Sequence, residues 1–155
     1  VCFDELFPVL AASPSDLGGL HYTSIQIGSC LTVAGISLIM FTLLVTPTIV
    51  THLKLLTVFR MQFMLCSPVI MAFPYLHRLQ SPTSTHMATV VLLCLKHSIG
   101  SWGFTSATVL CANSVPMSHL GSLNGVAQSL ASLTRGVGPA LAGALWSLSI
   151  DPRCA

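Results

Sequence analysis

The sequence predicts an all-α protein, a polytopic transmembrane helix bundle. Three observations carry that prediction. Of the 155 residues, 53% are apolar and only 6% charged, against roughly 25% charged residues in an average soluble domain. The mean hydropathy is +0.83. The apolar residues also run in long stretches of membrane-crossing length, separated by short segments rich in Pro, Ser, Gly and His. Six Lys and Arg with four Asp and Glu cannot cover a water-facing surface. A disordered chain is excluded by the same hydropathy.

The elements follow in order. Val1 to Ala12 is apolar, but as a helix it reaches only about 18 Å, short of the roughly 30 Å of a bilayer core. The chain starts on Val1, and Asp4 and Glu5 stand where a signal peptide needs basic residues. This run therefore reads as the remainder of a membrane helix cut on its N-terminal side. Ile25 to Thr46 is an uncharged span closed by Pro47. Leu55 to Leu76 is the next, with Arg60 one turn inside, where a long side chain snorkels to the interface. Met87 to Ala112 is the third complete span, interrupted by Lys96, and Ser122 to Ile150 the fourth, interrupted by Arg135. Tyr22 and Tyr75 fall near span ends, as an aromatic belt requires.

The connections give a sidedness. The loop of Asp16 carries an acid and no base, the loop from His52 through Lys54 to Arg60 carries two bases, and the loop of Arg78 one. The excess of bases places the Lys54 loop in the cytoplasm, with the Asp16 and Arg78 loops outside and the His119 loop inside.

Several functions are excluded. A formal charge of +2 is too small and too dispersed for nucleic-acid binding. Cys2, Cys30, Cys66, Cys94, Cys111 and Cys154 form no C-x-x-C pair, and most lie in apolar runs, which suits buried thiols rather than a disulfide framework. No ligand spacing among the histidines points to a metal, and no cofactor motif is present. No Ser/His/Asp arrangement or paired intramembrane aspartates of a catalytic pattern occur, so the chain does not read as an enzyme.

The informative residues are the polar ones a bilayer resists. Lys96 and Arg135 each cost about 2.5–3.5 kcal/mol at a helix centre on insertion scales. Lys96 lies close enough to its span's end to snorkel or find a polar partner. Arg135 lies too deep for that and is expected to face a cavity. Asn124, Gln128 and Arg135 stand at i, i+4 and i+11, one stripe of a helix, and a polar stripe must face protein or water. Beside it run Gly121, Gly125, Ser129, Ser132, Gly136, Ala140 and Ala144, with Gly143 close by. Small residues at this spacing permit close helix packing. Gly138 and Pro139 form a further break, since proline removes a backbone bond and bends a helix. Asp4 and Glu5 point about 100° apart on a helix, so they serve different partners. A carboxylate held away from water is the kind of group that carries protons through a membrane, unless both acids lie at the interface.

The run from Leu120 through Asn124-Gly125-Val126-Ala127-Gln128-Ser129 to Arg135-Gly136-Val137-Gly138-Pro139 and Gly143 resembles the eleventh helix of major facilitator superfamily carriers. It is most similar to the drug:proton-antiporter-like members that include the tetracycline-resistance and zinc-induced-facilitator groups and many fungal relatives. Asp4-Glu5-Leu6-Phe7-Pro8, Gly18-Gly19-Leu20 and Ser24-Ile25-Gln26-Ile27-Gly28 are similar to their seventh helix and the entry to the eighth. The resemblance covers nearly the whole chain as helices seven to eleven, a partial C-terminal six-helix half. It implies a twelve-helix carrier working by alternating access, which exports a small molecule against protons. Its implied partners are the lipid bilayer, the small-molecule substrate, protons and an N-terminal half, in the plasma or vacuolar membrane. Asn124, Gln128 and Arg135 would line or gate the cavity, with Asp4, Glu5 and Lys96 as further candidates for the solute or proton pathway. The alternative is a truncated, transport-inactive membrane protein that interacts with a full-length carrier.

Overall fold

The computed structural model describes residues 2–14, 19–79 and 81–150. Among these every regular element is helical: α1 (Cys2–Ala12), α2 (Ser24–Leu44), α3 (Thr46–His52), α4 (Leu55–Ala72), α5 (Pro82–Ala112) and α6 (Leu120–Ile150), with 3-10 turns at Phe73–Arg78 and Met117–His119. Three segments are long and apolar enough to cross a membrane: Ser24–Leu44, Leu55–Leu76 and Pro82–Ala112. α6 has the length, 31 residues. Its hydropathy is diluted by Asn124, Gln128, Arg135 and many glycines and serines, and it is not among the three. Asp16, on which part of the sidedness rests, lies outside the described residues.

The prolines act differently from one another. Pro47 does not close its span. α2 stops at Leu44, Val45 forms a turn, and α3 restarts with Pro47 in its first turn, where a missing N–H is tolerated. The backbone ladder still crosses the break: the Val45 N–H donates to the Phe41 carbonyl at 2.9 Å and the Ile49 N–H to the Val45 carbonyl at 3.1 Å. Only Pro47 itself has no proton to give to the carbonyl of Leu43, four residues back. Pro68 and Pro139 lie inside α4 and α6 without interrupting them. The break expected at Gly138-Pro139 is therefore no gap in the helix, because the bonds of the turns on either side hold the backbone helical.

The helices form two units, Ser24–Val115 and Val1–Thr23 with Pro116–Ala155. In the first, α5 packs between α2 and α4. Its buried residues Thr85, Thr89, Leu93, Lys96, Ile99, Gly103 and Ser106 recur every three or four positions, which makes one continuous seam. Contacts rise together along α2 and α5, from Cys30 with His86 to Phe41 with Trp102, so these two helices run parallel. α4 reaches α5 through the Phe73–Arg78 turn, where Phe73 and Leu76 are buried, and the two run antiparallel. At that turn the Arg78 guanidinium lies 5.3 Å from the centroid of the Tyr75 ring, a cation–π contact.

This unit is apolar on the outside and mixes polar with apolar side chains within. Thr46, Thr85, Thr89, Lys96, Ser98 and Ser106 are buried, while Ile25, Ile36, Ile39, Leu43, Leu44, Phe63, Met64 and Met71 are exposed. Exposed apolar surface on this scale marks contact with something other than water. Lipid is a solvent that suits it.

In the second unit α1 packs on α6, with Phe7 and Ala11 buried. The chain after α1 folds back to cap it. The Tyr22 N–H donates to the Ala11 carbonyl at 2.8 Å and the His21 N–H to the Ser13 carbonyl at 3.0 Å, which satisfies acceptors that a helix end leaves open. The fold-back needs His21 at φ 52°, a left-handed conformation in which His is enriched. It also needs Gly19, where a Cβ would collide with the backbone of Ser13.

Candidate solute and proton pathway

The unit of α1 and α6 holds a partly open cavity of about 300 Å³, lined on α1 by Phe3, Glu5, Leu6, Phe7, Val9 and Leu10 and on α6 by Pro139, Ala142 and Gly143, with Glu5 exposed. Its origin is local. Phe3, Leu6, Phe7 and Leu10 fall at i, i+3, i+4 and i+7, an apolar helix face, and the Phe3 and Phe7 rings stand 6.4 Å apart. Across from them, Pro139, Ala142 and Gly143 are too small to fill the space. The volume is at the lower end of small-molecule sites, about 300–1,000 Å³.

Among the described residues Glu5 is the one ionisable residue on this wall. Asp4, its neighbour, is not on the wall, as the angle of about 100° between successive helix residues requires. The structure thus separates two acids that the sequence leaves side by side.

The same angle locates the cavity relative to the polar stripe. Taken at about 100° per residue, Asn124, Gln128, Arg135, Pro139 and Ala142 fall on one side of α6. The wall of the cavity therefore continues the stripe by one turn beyond Arg135. Asn124, Gln128 and Arg135 are themselves exposed. The glycines beside them behave otherwise than close packing would require: a Cβ on Gly121, Gly125, Gly136 or Gly143 would meet no atom within 4 Å. The near helix approach that these residues permit is not made at these glycines among the described residues.

Lys96 lies in the other unit. It is 8% exposed and sits midway along the buried seam of α5, packed inside the helix trio rather than extended to a span end. The structure does not bring it together with Glu5 or Arg135 in one unit.

Several contacts in the helix trio gave no signal in the sequence. Cys30 Sγ and His86 Nδ1 lie 3.7 Å apart, joining α2 to α5. The hydroxyls of Thr46 and Ser101 lie 3.4 Å apart. Trp102 stacks on Phe41 with ring centroids 5.8 Å apart, and Gln62 lies directly against Gly103. Each needs the register between two helices, which a single helix pattern does not carry. Cys30, Cys66, Cys94 and Cys111 are in no disulfide, and of these only Cys30 is fully buried. Among the described residues no group of three His, Cys, Asp or Glu is placed to hold a metal ion.

Long apolar helices with exposed apolar faces, and polar side chains buried along α5, define a helical membrane protein. Over 97% of its length the chain is 35% identical to the major facilitator superfamily multidrug transporter mfsB of Aspergillus fumigatus, covering 27% of that protein. It is 29% identical to a probable peptide/nitrate transporter of Arabidopsis thaliana over 95% of the chain and 30% of the relative. It is 31% identical to Protein ZINC INDUCED FACILITATOR 1 of Arabidopsis thaliana, again over 95% of the chain and 30% of the relative. What the chain is similar to, over nearly all of its length, is thus a set of major facilitator superfamily transporters. It spans less than a third of the length of each of these relatives. No family model matches the chain, and no solved structure matches it.

Proposed function

We propose that the chain is part of the C-terminal half of a secondary carrier, of the drug:proton-antiporter-like group with fungal relatives, and that this carrier exports a small solute in exchange for protons. The similarity to three transporters over 95–97% of the chain supports this reading most strongly. The spans over 25–46, 55–76, 87–112 and 122–150, with the opening segment 1–12, are helices seven to eleven, and they work against an N-terminal half by alternating access. The carrier lies in the plasma or vacuolar membrane with the Lys54 loop in the cytoplasm.

The division of roles follows from the residues. Glu5, on the wall of an apolar cavity, accepts and releases the coupling proton. Arg135, one turn along the same side of α6, supplies the opposing charge. Asn124 and Gln128 offer hydrogen bonds to the solute along the stripe, and Asp4 and Lys96 are the remaining ionisable groups of the pathway. Gly121, Gly125, Gly136, Gly138, Pro139 and Gly143 let α6 bend and approach a helix of the other half.

The test is export of a fluorescent organic solute from cells expressing the protein together with an N-terminal half, with and without a protonophore. Export that the protonophore abolishes is the expected result. Export that is indifferent to it removes proton coupling. No export at all leaves the transport-inactive interaction partner as the better reading.

A further inference from the structure

The helix α6 has two unlike sides. Val126, Leu130, Leu133, Val137, Leu141 and Leu145 are exposed by 46–65%. At about 100° per residue they fall within a sector of about 120°, an apolar face of the width an amphipathic helix presents. Ala127, Thr134 and Ala144 share the sector. The Thr134 hydroxyl donates to the Ala131 carbonyl at 2.8 Å, so it needs no water. Asn124, Gln128 and Arg135 stand about 120–160° from the middle of this face. Pro139, Ala142 and Gly143, which line the cavity together with α1, fall on that far side as well. Where α1 covers α6, it therefore leaves the Val and Leu side bare.

Three kinds of surroundings could meet this side, and two fit poorly. Water is a poor solvent for six large apolar side chains in a row. A neighbouring helix in a membrane selects small residues that let backbones approach. On α6 Gly125, Ser129, Ser132 and Gly136 lie outside the sector, along one flank of it, while the side chains that project from the face are Val and Leu. Acyl chains fit both its chemistry and its length. From Val126 to Leu145 the helix rises about 28 Å, close to the roughly 30 Å of a bilayer core. The mean hydropathy of α6 hides this match, because it averages the apolar side with the polar one.

We infer that α6 crosses the bilayer with the side from Val126 to Leu145 against the lipid acyl chains and with Arg135 turned away from them. This rests on the reading of the chain as part of a membrane carrier, and it adds a fixed rotation of α6 about its own axis. The rotation explains how a helix with an arginine, an asparagine and a glutamine is compatible with a membrane. The costly groups lie on the side where protein or water meets them, and the hydrocarbon meets only Val, Leu, Ala and a threonine bonded within the helix.

The experiment uses the whole chain in phospholipid vesicles, with its own cysteines replaced by serine. A nitroxide is attached to one introduced cysteine at a time along 126–145, as in Leu133→Cys and Gln128→Cys. Power saturation compares collisions with oxygen, which concentrates among acyl chains, and with a water-soluble nickel chelate. The ratio of oxygen to nickel is expected to oscillate with the helical period of about 3.6 residues, highest at Leu130, Leu133 and Val137 and lowest at Gln128 and Arg135. A ratio without that period, or one with its maxima at Gln128 and Arg135, overturns the inference. Neither reagent reports export, so a chain that transports nothing still tests the rotation, and a carrier insensitive to a protonophore leaves the result unchanged. Two further variants avoid the label. Insertion of α6, read by glycosylation of a tag beyond Ile150, is expected to fall by about tenfold or more in Leu133→Arg and to change little in Gln128→Arg. Equal losses in the two variants overturn the inference.

Discussion

The side chain of Gln62 on α4 lies so close to the Cα of Gly103 on α5 that a Cβ at that position would overlap its amide. Gly103 belongs to the buried seam of α5, so the Gln62 side chain lies there directly on the α5 backbone. Gly103→Ala forces Gln62 into another rotamer. Since the clash is mainly with the far end of a flexible, half-buried side chain, the cost is expected at the low end of overpacking, about 1 kcal/mol. Gln62→Ala in the same chain vacates the space and is expected to recover most of that loss. A double-mutant cycle by thermal unfolding checks it. Additive losses would mean that the two residues do not meet.

That pair also shows what the sequence did and did not make legible. The long uncharged runs gave the helical class, because hydropathy and length are properties of one segment. The seam of α5 was harder to read, since Thr85, Thr89, Lys96 and Ser106 are polar and a membrane helix buries them toward its neighbours. Gly103 is one small residue among several in α5, and nothing local marks it as the point of contact. The separation of Asp4 from Glu5 was foreseeable from helix geometry. Which of the two would line a cavity depended on where α6 packs.

Cys30 and His86 make a second inter-helix contact, at 3.7 Å, and Cys30 is fully buried. The thiol is therefore expected to resist a maleimide in the folded protein. His86→Ala removes the partner and loosens the α2–α5 contact, and alkylation of Cys30 should accelerate several-fold. The measurement is mass spectrometry of Cys30 labelling over time, in a chain whose other cysteines are replaced by serine. Equal rates in the two proteins would show that His86 does not protect Cys30.

The cavity makes a distinction between neighbouring acids. Glu5 is on its wall and Asp4 is not. Glu5→Gln keeps size and hydrogen bonding while removing the exchangeable proton, and it is expected to lower proton-driven export by tenfold or more, the equivalent of about 1.4 kcal/mol. Asp4→Asn should have an effect several times smaller. Export rates measured across an imposed pH gradient compare the two variants. An Asp4 variant as impaired as the Glu5 variant would take the cavity out of the proton pathway.

Arg135 carries the most direct test of the polar stripe, because the transport and insertion readings predict opposite effects of its removal. A charge at the centre of a membrane helix opposes insertion by about 2.5–3.5 kcal/mol, and α6 is not among the three segments apolar enough to cross a membrane. Arg135→Ala should therefore leave insertion of α6 unchanged or improve it, as read by glycosylation of a tag placed beyond Ile150. Export should fall in the same variant if Arg135 supplies the charge that the proposed function assigns to it. Arg135→Lys keeps the charge but loses the planar fork of donors, and partial export is expected from it. If Arg135→Ala inserts well and exports at the full rate, the arginine serves the structure of α6 alone, and the stripe of Asn124 and Gln128 loses its strongest claim to line a solute path.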